Sequence, residues 1–293
     1  MDKTRLEALI NLLDDPDETV FGMVEKELLK TKDDIIPELE KKWEASFDEH
    51  SQQRIENIIQ HLQFKETKRR IKKWLGHPAE GRSLLNGFCH VDRFQYPDLN
   101  PLNIQVKIEN LRKSIWLELN NSLTLLEKVT ILNHFLFNIN GFAINLSNPH
   151  SPQNCFLNQL LDTKKGNPVS MSIFYTIVAR QLEMPAYLVD FPKNPLVAIV
   201  DAELAQKVHG PSVSSDVLFY VNPSNKGAIT SRKEIEYHLK KHEYLPLHDY
   251  TEPKPDTLFL VRLLESMMEA YQTVGFTDKE DKIKQLLRLF KTA

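Results

Sequence analysis

The sequence predicts an α+β fold, a buried helix feeding several strands with mainly helical segments on either side, and three observations carry that reading. Residues 166–200, GNPVSMSIFYTIVARQLEMPAYLVDFPKNPLVAIV, pass from a helical apolar pattern into two short β-prone stretches. Residues before about 77 repeat apolar side chains at three- and four-residue steps, the period of a helix with one buried face. Residues after about 250 do the same in two further blocks. Three segments follow: a helical extension at 1–76, a core at 77–250 and a C-terminal helical pair at 251–293 that packs on the core.

The central stretch has the sharpest local chemistry. Asn167 is a good N-cap because its side-chain oxygen can accept from a first-turn amide that has no partner inside the helix, and Pro168 suits the first helical position, where no amide hydrogen is needed. Met171, Phe174, Ile177, Val178 and Leu182 then form one stripe, and Pro185 ends the helix before the strand AYLVDF. A second strand runs to Val200, residues 201–216 read as a long polar hairpin connection, and Val217–Val221 returns as a third strand. It ends in Asn222-Pro-Ser-Asn-Lys-Gly227, whose residue types suit the φ values of tight turns. Ser231 caps a helix through Leu239.

In the front segment Leu6, Leu9, Ile10 and Leu13 form one stripe, and Asp15, Pro16 and Glu18 have the form of a cap, a first-position proline and a capping-box acid before Val20, Val24 and Leu28. Ile35, Ile36, Leu39 and Trp43, then Ile55, Ile58, Ile59 and Leu62, supply two more helices. Short helices joined this way stack in pairs, and the segment resembles a HEAT or armadillo-like unit of about one repeat and a half. The basic run Lys65, Lys68, Arg69, Arg70, Lys72 and Lys73 reads as a solvated helix face, since no aromatic platform interleaves it except Trp74. GHPAEGRSLLNGF, residues 76–88, has the punctuation of a linker. Residues 104–119 and 123–137 read as helices, 138–152 as a loop, 152–161 as a short helix, and 256–268 and 278–289 as the antiparallel C-terminal pair.

With 293 residues, 41% of them hydrophobic, the chain can fill a substantial core. A net charge of -3 gives no overall drive towards nucleic acid or an anionic membrane. No stretch approaches the eighteen apolar residues of a spanning helix. Two cysteines and a start, MDKTRLEALINLLDD, without the pattern of a signal peptide lead to the expectation of a cytoplasmic protein with reduced thiols.

Four stretches, QYPDLN at 95–100, NCFLNQLLDTKKGNPVSMS at 154–172, ARQLEMPAYLVDFP at 179–192 and FYVNPSNKG at 219–227, resemble the SirB-type branch of the transglutaminase-like superfamily. The resemblance implies a papain-like core, a helix packed on an antiparallel sheet, with helical N- and C-terminal extensions. In active members of the superfamily a cysteine stands at the start of that helix, a histidine on the second strand and an aspartate on the third. A helix N-terminus lowers a thiol pKa, and the histidine and acid complete a thiolate–imidazolium pair. Carried over residue by residue, the cysteine position falls at Pro168 or within two residues of it, at Val169 or Ser170, and the other two at Asn194 and Asn222; Pro168, Asn194 and Asn222 bear no reacting group.

Ser170 and Cys155 are the fallback nucleophiles, although no histidine occurs between His150 and His209 to serve Ser170 locally. Cys155 reads better as an inert buried thiol, and Cys89 beside His90 as structural. His238 and His242 have i, i+4 spacing, but Leu239, Lys240 and Lys241 lie between them in place of a zinc-site pattern, so no metal and no cofactor is expected. Asp190 and Asp201 flank the second strand without a partner in sequence. The expected function is a non-catalytic scaffold or binding module for a protein, peptide or small polar ligand, with Asn167, Ser170, Asn194 and Asn222 converging around the old cleft. The alternative is a hydrolase or acyl-transferase using Cys155 or Ser170, and a third reading gives the function to the helical segments alone.

Overall fold

The computed structural model describes residues 2–31, 33–210 and 215–291, which fall into two compact units, 1–70 and 71–293. The first unit contains α1 (Lys3–Asn11), α2 (Glu18–Lys30), α3 (Ile36–Ala45) and most of α4 (Glu49–Leu75), whose last residues belong to the second. Its core is the set the periodicity picks out, with Leu13, Leu28, Leu39, Ile55 and Ile58 fully buried together. The cap of α2 lies two residues later than the sequence suggests. Asp17 accepts from Thr19 N at 2.8 Å, while Asp15 accepts from Asp17 N and so shapes the turn that precedes the helix. The Arg54 guanidinium, buried over the Phe21 ring, donates to the Asp15 carbonyl at 2.9 Å and to Glu18 at 2.6 Å, which fixes the α1–α2 turn onto α4. Much of the basic run is engaged locally: Arg69 forks onto Glu66, Lys65 donates to the Leu29 carbonyl at 2.6 Å and Lys68 lies over the Phe64 ring.

In the second unit the linker expected at 76–88 is a linker only in part. Ser83 caps α5 (Leu84–Asp92), a helix buried over most of its length. A Cβ on Gly87 would stand 2.7 Å from Leu260 Cδ1 and 2.8 Å from the Trp74 ring, so this glycine marks close packing where the sequence suggests a break. Next come α6 (Pro101–Trp116), begun by Asn100 as cap, and α7 (Leu125–Asn133), begun by a Thr124–Glu127 capping box. The helix expected to reach Phe137 changes at His134 into a π-helical turn, 134–139. β1 (Ala143–Ile144) and β2 (Lys165–Gly166) pair in parallel and enclose α8 (Leu157–Thr163).

The central helix α9 (Pro168–Gln181) begins at the predicted cap, but its burial is not a stripe: Val169–Ala179 is buried without interruption. Four antiparallel strands follow in the order β3 (Ala186–Val189), β4 (Leu196–Val200), β5 (Val217–Asn222) and β6 (Ala228–Thr230). Val189, Leu196, Ala198, Val217 and Tyr220 share one face and pack on Ile235 and Leu239 of α11 (Arg232–Lys241). Alternation turns Ala186, Leu188, Val197 and Ile199 to the opposite face, where α9 lies. This is the expected helix-on-antiparallel-sheet core with helical extensions.

The polar connection after β4 is a helix, α10 (Ala202–His209), capped by Asp201 and followed by Gly210 at φ +82°. Leu204, Ala205 and Val208 stand at helical spacing, but the segment is short and only Ala205 is buried, and residues 211–214 of the expected connection lie outside the described residues. A short α12 (His248–Thr251) leads into α13 (Asp256–Thr273) and α14 (Thr277–Lys291), which pack on each other, with α13 also against α5 and α9. Arg180 of α9 forks onto Asp256 at 2.6 and 3.0 Å, and Arg262 of α13 bonds Asp190. Among the described residues no helix is long and apolar enough to cross a membrane.

Candidate functional site

The start of α9 is held by residues that precede it in the chain. Asn167 Oδ1 accepts from Ser170 N at 2.8 Å and Ser170 Oγ accepts from Asn167 N at 3.0 Å, a reciprocal capping box. Ser170 Oγ then donates to the Asn154 carbonyl at 2.7 Å, and Asn167 Nδ2 donates to Cys155 Sγ at 3.2 Å. The Asn154 side chain accepts from Asn145 Nδ2 and donates to the Asn148 carbonyl, both at 2.8 Å, so the 145–155 loop is sewn to the helix start. Gly166 is required beneath it, because a Cβ there would lie 2.7 Å from Ser170 Oγ and 2.9 Å from Leu160 Cδ1. Asn167 and Ser170 thus direct their hydrogen bonds inward.

Register places the other two positions. Val197 pairs with Val221, so the start of β4 and the end of β5 share one end of the sheet, with Asn194 in the turn before β4 and Asn222 closing β5. Pro195 O accepts from Ser172 Oγ at 2.7 Å, which pins that turn to the second turn of α9. The 223–225 turn after Asn222 also packs on α9. Tyr175 OH donates to Asn133 Oδ1 at 2.8 Å, and Asn133 Nδ2 donates to the Gly227 carbonyl at 2.8 Å, closing a relay from helix to turn. Asn222 Oδ1 accepts from Ser224 N at 3.0 Å, and Asn194, half-buried, uses its own amide N–H on the Pro192 carbonyl at 2.8 Å. Pro168 occupies the first helical position, half-buried.

Neither fallback nucleophile is poised. Cys155 is 1% exposed, and burial, with the charges of Asp92 and Glu269, pushes its thiol up to about 12. Ser170 is fully buried and its hydroxyl is committed to the loop, and among the described residues no histidine hydrogen-bonds either side chain. Cys89 is pushed up to about 12 by burial and by Asp92.

Asp92 is a residue that sequence reasoning passes over. It ends α5, is fully buried, and accepts from Leu157 N and Asn158 N, each at 2.9 Å. Phe156, at the cap position of α8, has no side-chain oxygen to offer those amides, so Asp92 caps the helix from a distance of 65 residues. Burial pushes its carboxyl up to about 7 against the lowering effect of the two N–H groups. Tyr96, from the QYPDLN stretch, donates to Gln153 and stands edge-on to Phe156 at 5.3 Å. Local sequence carries no signal for the Asp92 contact.

The remaining candidates are structural. Asp201 accepts from Leu204 N at 2.9 Å as the cap of α10 and Asp190 is bonded to Arg262, so the two acids do not form a pair. The His238 and His242 rings lie 4.5 Å apart, tilted by 47°, with Phe191 beside His238. Among the described residues no group of three His, Cys, Asp or Glu side chains could hold a metal ion.

Comparison with known proteins adds the family. A sequence profile described as the transglutaminase-like superfamily matches residues 103–265. The chain is similar to F-box only protein 21 of Mus musculus, 24% identical over 253 residues that cover 79% of this chain and 38% of that protein, and to its Homo sapiens counterpart at 23% over the same lengths. It is also similar to a UPF0162 protein of Xylella fastidiosa, 26% identical over 201 residues, 64% of this chain and 65% of that protein. The chain thus spans about two fifths of the length of the F-box relatives, at 38%. No solved structure matches it.

Proposed function

The chain belongs to the transglutaminase-like superfamily, and from that premise we propose that it is a non-catalytic member, a scaffold or binding module that recognises a protein, peptide or small polar ligand. The observation that supports this reading is the residue types at three positions, Pro168 at the start of α9 and Asn194 and Asn222 at one end of the sheet, with no thiol, imidazole or carboxylate among them. Amides that neither titrate nor attack can still hold a polar ligand through paired donors and acceptors. In this reading Asn167 and Ser170 keep the helix start rigid, while Asn194 and Asn222 present the recognising groups. We place the chain in the SirB-type branch on its four matching stretches, and read the helices of the first unit as a HEAT-like extension that adds partner surface.

The alternative, a hydrolase or acyl-transferase using Cys155 or Ser170, needs a nucleophile with a base beside it and an open path to substrate. The burial of both groups weighs against it. Two measurements test the proposal. Affinity capture from native cell lysate is expected to lose its partner when Asn194→Ala or Asn222→Ala replaces the wild type, with the same unfolding midpoint in all three. Equal recovery moves the binding surface away from this cleft. Incubation with amide, ester and thioester substrates is expected to give no turnover above buffer, and turnover that disappears in Cys155→Ala or Ser170→Ala restores the enzyme reading.

A further inference from the structure

A concavity lies on the face of the sheet away from α9. Tyr187, two residues from Val189, shares the α11-facing side of β3, and with Val200 and Val217 it borders an open pocket of about 380 Å³ between α10 and Glu252-Pro253. That volume suits a small ligand or a single side chain. Its apolar lining is Val200, Val217 and Pro253.

The walls carry charge of one sign. Asp216 and Glu252 both line the pocket, and among the described residues no lysine or arginine does. Glu252 is already compensated, since its two oxygens accept from Arg232 at 2.8 Å and from Ser215 Oγ at 3.1 Å. The Arg180 guanidinium that stacks over the Tyr187 ring, 5.4 Å from its centroid, is likewise matched by Asp256. His209 turns its ring nitrogen to the Val217 and Leu218 carbonyls. The Asp216 carboxylate is exposed and has no hydrogen bond or ion pair among the described residues, and the sequence at 211–214, Pro-Ser-Val-Ser, carries no charge to neutralise it. One unmatched carboxylate lining the same pocket as Val200, Val217 and Pro253 is complementary to a cation with a hydrocarbon stem.

We propose that this pocket binds a primary ammonium on a short apolar stem, with Asp216 as its counter-ion. The ammonium could come from a lysine side chain or from a free alkylamine, and the test separates the two. The full chain is titrated, by NMR at low salt, with n-butylamine, with lysine blocked as its acetyl and methylamide derivative, and with n-butanol as the uncharged control. Saturable shifts at Tyr187 and Val217 are expected with the amines and not with butanol. The tighter amine identifies the source. Asp216→Asn, at an exposed position, is expected to weaken amine binding about tenfold, whereas Gln206→Glu, which adds a carboxylate at the rim, strengthens it. Asn194→Ala leaves it unchanged, which separates this site from the α9 cleft. Absence of saturable shifts, equal binding of butanol, or amine affinity indifferent to both Asp216→Asn and Gln206→Glu overturns the proposal.

Discussion

Asp92→Ala is expected to lower the unfolding free energy of the 71–293 unit by about 2–3 kcal/mol, because it leaves one buried and one partly buried amide without their acceptor. Leu157 N and Asn158 N both bond this carboxylate at 2.9 Å, the first contact buried and the second partly so. Amide exchange at those two residues should accelerate more than at the middle of α9, and equal exchange in wild type and variant would show that α8 is held by something else. The same group gives the fold a pH signature. Its carboxyl rises from 3.8 to about 7 on folding, so between those values the folded chain holds a proton that the unfolded chain has released. Stability therefore rises as pH falls from 7 towards 4, and is flat in this respect above 7. The gain is about 2–3 kcal/mol between pH 7 and pH 5. Carboxyls held low by their caps, Glu127 and Glu234 among them, lose their contribution only at lower pH. Denaturant midpoints at pH 5 and pH 7.5 check it: Asp92→Asn should remove most of the difference.

Gly227→Ala should cost about 2–4 kcal/mol, the second large effect. Two causes add there. The backbone sits at φ +74°, which L side chains rarely adopt, and a Cβ would stand 2.3 Å from Asn133 Cγ and Oδ1. Asn133 cannot yield without releasing Tyr175 OH, the buried end of the relay that ties the β5–β6 turn to α9. Gly275 separates the causes, because it has φ +82° with nothing within 4 Å of the added carbon. Gly275→Ala should cost only about 1 kcal/mol. Thermal unfolding of the two variants side by side measures the contact, and equal losses would assign the whole effect to the backbone.

How much of this was legible in the sequence depended on how far each contact reaches along the chain. The start of α9 was legible because Asn167, Pro168 and Ser170 act on one another within four residues, and β3, β4 and β5 because their apolar runs are short and bounded. α10 was passed over although its signals were local: Asp201 is as good a cap as Asn167 and Leu204, Ala205 and Val208 share a face, but eight residues among polar neighbours, with Ala205 alone buried, read as a connection. α5 was masked by glycine and proline before it, and Gly87 answers to Trp74 and Leu260, which no local pattern announces. At the site, Pro168, Asn194 and Asn222 could be picked out by resemblance. The loop that fixes the helix start, through Asn154 and Asn145, could not, since its partners lie sixteen residues and more from Ser170.

The two cysteines have a practical consequence as a clock. Both are buried and held as thiols, pushed up to about 12, so an alkylating reagent at neutral pH finds neither until the second unit opens. Under reagent in excess, the rate of modification then reports opening itself, without denaturant and without a catalytic readout. The same silence makes the chain a blank for site-specific labels: a cysteine introduced at Asn194 would react alone, and its loss of reactivity on adding a partner would mark the cleft as covered.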